Sequence, residues 1–265
     1  HQMRSDAGGT VTGRFSYSNP NLQQIPARHA ILGPLIRSIF VPEKNCDWGI
    51  FDYSQQEPRL VVHYASLQEF TGASKFLDAY EEEDTTDFHQ LVADIANIPR
   101  KQAKTINLGL FYGMGKGKLM SQLGLNQEDA EDLLADYHDR VPFVRQLMKD
   151  TMYKAGKKGF LRTLRGRKCR FDMWEPKTFG VHKALPLKEA ANEYGDQMIK
   201  RAWTYKALNR LIQGSAADQT KQAMLNLYKE GYLAHIQVYD ELDFSVESDK
   251  DADRIKEIME TCVED

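Results

Sequence analysis

The chain has no long apolar run, few cysteines and no low-complexity tract. No apolar stretch approaches the roughly eighteen residues that a membrane helix requires, and the opening HQMRSDAGGT lacks the hydrophobic centre of a secretory leader. The expectation is a cytoplasmic protein with no membrane partner. Only three cysteines occur, Cys46, Cys169 and Cys262, widely separated and without CxxC spacing. That excludes a disulfide framework and a structural zinc site. No segment repeats, and the prolines and glycines punctuate loops rather than gather into a linker. Nor is there an excess of charge. Lys and Arg number 35 against 38 Asp and Glu, a net charge of −3, so the sum carries no signature of a nucleic-acid partner. What is present is ordinary for a globular chain: 42% hydrophobic and 28% charged residues over 265 positions, enough for a buried core in one large or two small domains.

The sum hides a segregation. DAYEEEDTTD (78–87) and NQEDAEDLLADYHD (126–139) are acidic, whereas eight of the seventeen positions in KAGKKGFLRTLRGRKCR (154–170) are Lys or Arg. A basic tract in an acidic chain suits a phosphate-facing surface. A solvated loop accounts for it equally well.

Periodicity supplies the organisation. DWGIFDYS (47–54) reads as a short strand ending in an aspartate, followed by a helix from Pro58 to Leu67 with Leu60, Val61, Tyr64 and Ala65 on one face. IPRKQAKTINLGLFYG (98–113) reads as a helix, with Asn97 able to cap its start and Pro99 suited to its first turn. Two more helical stretches lie between about 187 and 230. Then Ile236, Val238, Leu242, Phe244 and Val246 recur at every second position, the period of half-buried strands, interrupted by Tyr239, Asp240 and Glu241. Adjacent acids at a hairpin tip fit a plain turn or a cation site. The fold class is α+β.

Along the helix after Pro99, Arg100, Lys104, Leu108 and Tyr112 recur every fourth residue, so two cations, an apolar side chain and a phenol share one stripe. A triphosphate carrying a sugar and base would use all four; snorkelling of the cations is the alternative. The nearby GMGKGKL (113–119) lacks both the GxxxxGK spacing and the following Ser or Thr of a P-loop.

These segments resemble a known family. DYSQQEPRL (52–60), RKQAKTINLGLFYGMGKGKL (100–119) and QVYDEL (237–242) resemble motifs A, B and C of family A DNA polymerases, the bacterial DNA polymerase I type, in order and spacing. TVTGRFSYSNPNLQQIPAR (10–28) resembles the family's primer-template segment, and LNRLIQGSAADQTKQAM (208–224) its helix touching template and primer. Certain loops resemble phage versions, which would put the protein in the host-cell cytoplasm.

The resemblance implies a palm with an antiparallel sheet and helices, at 1–66 and 209–265, and a helical fingers subdomain at 67–208, with thumb and exonuclease domain expected to be absent from this chain. It implies a template-directed DNA polymerase using two Mg²⁺ ions, held by Asp52, Asp240 and the carbonyl of Tyr53. Two metals roughly 3.5–4 Å apart suit in-line phosphoryl transfer, and carboxylates are natural ligands for a hard cation. Arg100 and Lys104 would grip the phosphates of a dNTP, Lys104 also protonating the leaving pyrophosphate. His89 and Gln55 would add nucleotide contacts, Leu108 and Tyr112 would line the sugar and base pocket, and Glu57 would pair with Tyr112 against a ribose 2′-hydroxyl. Arg14, Asn21, Gln23, Asn209, Gln213, Tyr239 and Glu241 would meet the DNA primer-template, Glu241 pointing away from the metal site or touching it only indirectly. Whether a processivity factor joins is left open.

Three departures stand out. Tyr239 replaces the usual histidine before the motif C aspartate, Tyr205 stands where an arginine is usual, with Lys206 adjacent, and Leu108 replaces a common aromatic. None removes a metal ligand. A metal-dependent nuclease would also use Asp52 and Asp240, and a non-catalytic nucleic-acid-binding module would use the basic tract; neither accounts for the stripe from Arg100 to Tyr112.

Overall fold

The computed structural model describes residues 2–3, 10–26, 29–83, 85–113, 116–178, 180 and 183–263. Ala27 and Arg28 of the primer-template segment, and Met114 and Gly115 of the glycine-rich stretch, lie outside the described residues. Helices mix with short antiparallel strands, an α+β arrangement. The chain divides into two compact units, His1–Gln56 with Gln213–Asp265, and Glu57–Ile212.

The first unit is organised by a three-stranded antiparallel sheet in which Glu241–Val246 lies between Asp47–Asp52 and Ile236–Val238. Leu242, Phe244 and Val246 point to one face of the central strand and bury against Ala223, Leu227, Ile255, Ile258 and Met259. Full burial of side chains of this size contributes roughly 1.5–3 kcal/mol each. Gly49 sits in the neighbouring strand because a Cβ there would come within 2.5 Å of Val246 Cγ2. The closing helix, Asp249–Glu260, begins at Ser248, whose side chain accepts from the Asp251 N–H.

The alternation from Ile236 to Val246 does not run unbroken. Val238 pairs with Glu241 and Ile236 with Asp243, and cross-strand partners share a face. Ile236 and Val238 therefore lie on the opposite face from Leu242, because a two-residue tip shifts the phase of the pattern. With Trp48 and Ile50 they wall a cavity of about 110 Å³ that also meets Arg37, Glu241 and Asp243.

In the second unit the helices Ala73–Glu82, Phe88–Ala96, Arg100–Phe111, Gln127–Arg140 and Pro142–Lys158 supply most of the structure. Phe76, Phe88, Phe111 and Phe143 are buried together, with Phe76 and Phe143 4.9 Å apart edge to face. Asn97 does not cap the start of the Arg100–Phe111 helix; at φ 53° it closes the end of the preceding one, Phe88–Ala96, and Pro99 takes the N-cap position. Asparagine tolerates the left-handed region that ends helices, so its presence near a boundary does not say which helix it serves. The helix expected from Pro58 to Leu67 runs over Gln56–Ser66. The basic tract is the end of Pro142–Lys158 followed by a hairpin, Phe160–Arg162 with Lys168–Arg170. A further small sheet, with Met173–Pro176 between Leu185–Pro186 and Ile199–Arg201, has no counterpart in the sequence reading. No helix among the described residues is long and apolar enough to cross a membrane.

Candidate active site

Three acids meet at one end of the first unit's sheet. Asp52 is the last residue of its strand and stands opposite Glu241. Because Glu241 in turn pairs with Val238, Tyr239 and Asp240 form the two-residue tip between them. Tyr239 carries φ 58°, the left-handed conformation that a tight hairpin asks of its first tip residue and that glycine supplies most cheaply. A tyrosine there costs roughly 1–2 kcal/mol, a local cost accepted where the adjoining residue is Asp240.

Burial disfavours the charge of these acids, and Glu241 and Asp243 each feel a neighbouring acid as well. Burial raises the pKa of Asp52, although by area the residue is exposed. Burial, then the charge of Asp52, raises Glu241, with Arg37 opposing. Asp243, two residues along the same face, is pushed up to about 6 by burial and by Glu241, again against Arg37. Oxygen donors crowded in this way favour a hard cation. Among the described residues no group of three or more His, Cys, Asp or Glu is placed to hold a metal. The Tyr53 ring packs in the core and its hydroxyl donates to the Met259 carbonyl at 2.7 Å.

The polar groups of the primer-template segment gather beside the hairpin. Tyr17 donates to Gln237 Oε1 at 2.6 Å and Gln23 Nε2 to the same oxygen at 3.2 Å, while Gln237 Nε2 bonds the Tyr239 carbonyl. Arg14 lies over the Tyr239 ring, 5.6 Å from its centre. The structure thus brings Arg14, Gln23 and Tyr239 together. Asn21 caps the short helix Leu22–Gln24, its side chain accepting from the Gln23 N–H. Asn209 and Gln213 are half-buried on the Ala207–Lys229 helix, and Gln55, at φ 52°, occupies the turn after the Asp52 strand.

In the second unit the Arg100–Phe111 helix buries Ala103, Ile106, Asn107 and Phe111 and leaves Arg100 and Lys104 exposed, Leu108 half-buried and Tyr112 38% exposed. The four therefore share the open side. Arg100 is engaged: Nε and Nη2 donate to Asp87 Oδ2 at 2.9 and 2.5 Å. The other oxygen of Asp87 caps the Phe88–Ala96 helix by accepting from the N–H groups of His89 and Gln90. Burial raises the Asp87 carboxyl, but Arg100 and those two donors outweigh it and the pKa is lowered. Any phosphate at Arg100 must compete with this pair. Tyr112 donates to Glu57 Oε2 at 2.8 Å. Just beyond, Gly113 turns at φ 64° beneath Tyr205, whose carbonyl oxygen would lie 2.5 Å from any Cβ. Lys206 sits over the ring of Tyr205 at 5.5 Å.

His89 is buried and its Nδ1 lies 3.0 Å from Asn107 Nδ2, while Tyr137 donates to Asn107 Oδ1 at 2.5 Å. Burial lowers the histidine to about 4, Lys104 and Arg100 adding to the shift and Asp87 opposing it. His89 is neutral at pH 7.

Asp87, Asn107, Tyr137, Arg37, Gln237 and Asp243 escaped the sequence reading. Asp87 had a signal, since an aspartate before FHQ matches a helix start. Asp243 had another, an acid inside a strand on a partly covered face.

A family model described as "DNA polymerase family A" matches residues 4–265. The chain is 37% identical to a DNA-directed DNA polymerase of Pseudomonas phage M6, over 96% of this chain and 41% of that protein. It is 33% identical to DNA polymerase I of Rhizobium leguminosarum, over 96% of this chain and 24% of that one. Among solved structures, the POL domain of Pol1 from M. smegmatis, in complex with DNA primer-template and dNTP, superposes with a TM-score of 0.72 at 30% identity, covering 96% of this chain and 43% of that chain. The chain thus spans well under half the length of these relatives.

Proposed function

Since the chain belongs to the family A DNA polymerases, we propose that it performs template-directed addition of deoxynucleotides to a primer 3′-hydroxyl, with residues 1–66 and 209–265 as palm and 67–208 as fingers. The observation that carries the reading is the strand register that sets Asp52 opposite Glu241 beside the Asp240 tip. Asp52, Asp240 and the Tyr53 carbonyl would hold two Mg²⁺ ions, which would supply positive charge for an in-line phosphoryl transfer.

The chain's own groups do the rest. Asp52, Asp240 and the Tyr53 carbonyl hold the cations. Lys104 neutralises phosphate charge and gives a proton to departing pyrophosphate, and Arg100 exchanges Asp87 for a phosphate. His89 and Gln55 add donors. Leu108 and Tyr112 receive sugar and base, and the Tyr112 to Glu57 bond fills the space a 2′-hydroxyl would need. Arg14, Asn21, Gln23, Asn209, Gln213, Tyr239 and Glu241 meet the primer-template, where side-chain donors can test the minor-groove acceptors that all base pairs share.

Primer extension on a labelled duplex with Mg²⁺ and four dNTPs tests the reading. Lengthened products, lost on chelation and in Asp52→Asn, support it. Shortened products, or a mobility shift with no change of primer length, overturn it.

A further inference from the structure

We propose that Asn107 and Tyr137 are positioning residues that fix His89 in the tautomer with Nδ1 as acceptor and an Nε2–H donor available to a triphosphate oxygen. This rests on the assignment of His89 to the nucleotide made above. Three helices of one unit supply the three side chains: Phe88–Ala96, Arg100–Phe111 and Gln127–Arg140.

The two contact lengths orient the amide. Hydroxyl to oxygen bonds run at about 2.5–3.0 Å, and amide N–H bonds at about 2.7–3.2 Å. The 2.5 Å contact at Tyr137 suits O–H to Oδ1, and the 3.0 Å contact at His89 suits N–H to ring nitrogen. Burial raises the Tyr137 hydroxyl well above its ordinary range, so it keeps its proton and donates. Asn107 is thereby held with its oxygen toward Tyr137 and its amino group toward His89. An amide NH₂ can only donate, so Nδ1 must accept, and the single proton of a neutral imidazole then sits on Nε2. Among the described residues nothing takes up the Nε2–H.

Packing alone does not call for this chain of polar groups. Asn107 and Tyr137 are both 0% exposed, and a leucine and a phenylalanine would fill the space without burying an amide and a hydroxyl. A fully satisfied buried relay earns its place by fixing one arrangement. Here the arrangement fixed is the face that His89 shows to a ligand.

The experiment combines ¹⁵N NMR of histidine-labelled chain with calorimetric titration of dATP. The expected result at pH 7 is one Nε2–H tautomer for His89, a mixture in Tyr137→Phe, and the opposite Nδ1–H form, bonded to the new carboxylate, in Asn107→Asp. Tyr137→Phe, which keeps the ring and therefore the core, should weaken dATP about fivefold, the worth of one hydrogen bond. In a His89→Gln background it should do nothing further. A mixed or Nδ1–H tautomer in the parent overturns the relay. Equal weakening by Tyr137→Phe in both backgrounds overturns it too, since that is the mark of a merely structural role. The stated tautomer with dATP binding indifferent to His89→Gln overturns instead the assignment of His89 to the nucleotide.

Discussion

Asp52 and Glu241 are cross-strand partners at the final rung of the ladder that joins the two long strands of the sheet. Like charges directly opposite one another destabilise an antiparallel pair by roughly 0.2–1 kcal/mol, and a bound divalent cation reverses the sign. Two outcomes follow for Asp52→Asn. In chelator it should melt no lower than the parent, and Mg²⁺ should raise its melting temperature less. Extension should fall at least about 10²-fold in this variant and in Asp240→Asn, the usual consequence of losing a main transition-state contact. Differential scanning fluorimetry with and without Mg²⁺ checks the first, and an Mg²⁺ response equal to the parent's would remove Asp52 from the metal site.

The strand ending in Asp52, the hairpin tip and the stripe from Arg100 to Tyr112 were legible because each is a local pattern of period two or near four. The pieces that were not legible are those that distance in sequence conceals. Arg37 meets Asp243 only once the sheet has formed, and Gln237 meets Tyr17 across a separation of 220 residues. The chain from Tyr137 through Asn107 to His89 needs three helices to be packed first. Asn97 closes one helix rather than opening the next because its preference for helix boundaries has no direction. Strands of two to four residues, as in Met173–Pro176 and Leu185–Pro186, are too short to show a period.

The bond between Tyr112 and Glu57 offers a separable test of sugar selection. At 2.8 Å it holds the phenol and the carboxylate together on the open side of the helix end. Glu57→Ala removes the acceptor and opens that space. Relative ribonucleotide use, as the ratio of kcat/KM for CTP and dCTP, should rise by at least about fivefold, while primer-template affinity stays within about twofold. An unchanged ratio would sink the role of this pair.

Leu108 is half-buried on the same side. A leucine cannot replace the hydrogen bond that a missing 3′-hydroxyl leaves unmade, whereas a tyrosine can. Leu108→Tyr should therefore relax discrimination between dTTP and ddTTP by at least about fivefold, the value of one net hydrogen bond. Single-turnover incorporation of the two nucleotides measures it, and equal ratios in parent and variant would show that Leu108 does not face the sugar.

Asp243 supplies a prediction that needs no substrate. It is 6% exposed, one of its carboxylate oxygens is buried without a hydrogen-bond partner, and its pKa is pushed up to about 6. An unfolded aspartate titrates near 3.9. Between about pH 4 and 6 the folded chain therefore holds a proton here that the unfolded chain has released, so stability from this group falls as pH rises and is lowest above pH 6. His89 and His138 slope the other way. Both are lowered to about 4, chiefly by burial, so the unfolded chain binds protons that the folded one refuses between about 4 and 6.5, and their contribution rises with pH. The parent's melting curve is the sum of these opposed slopes, but the difference between parent and Asp243→Asn isolates the aspartate. The amide keeps the shape and cannot ionise, so Asp243→Asn should gain on the order of 3 kcal/mol at pH 8, from about two pKa units, and nothing below pH 4. Urea unfolding at pH 4 and pH 8 decides it. An equal gain at both would mean that packing, not charge, separates the two proteins, and the crowding of Asp52, Glu241 and Asp243 along one face would lose its energetic support.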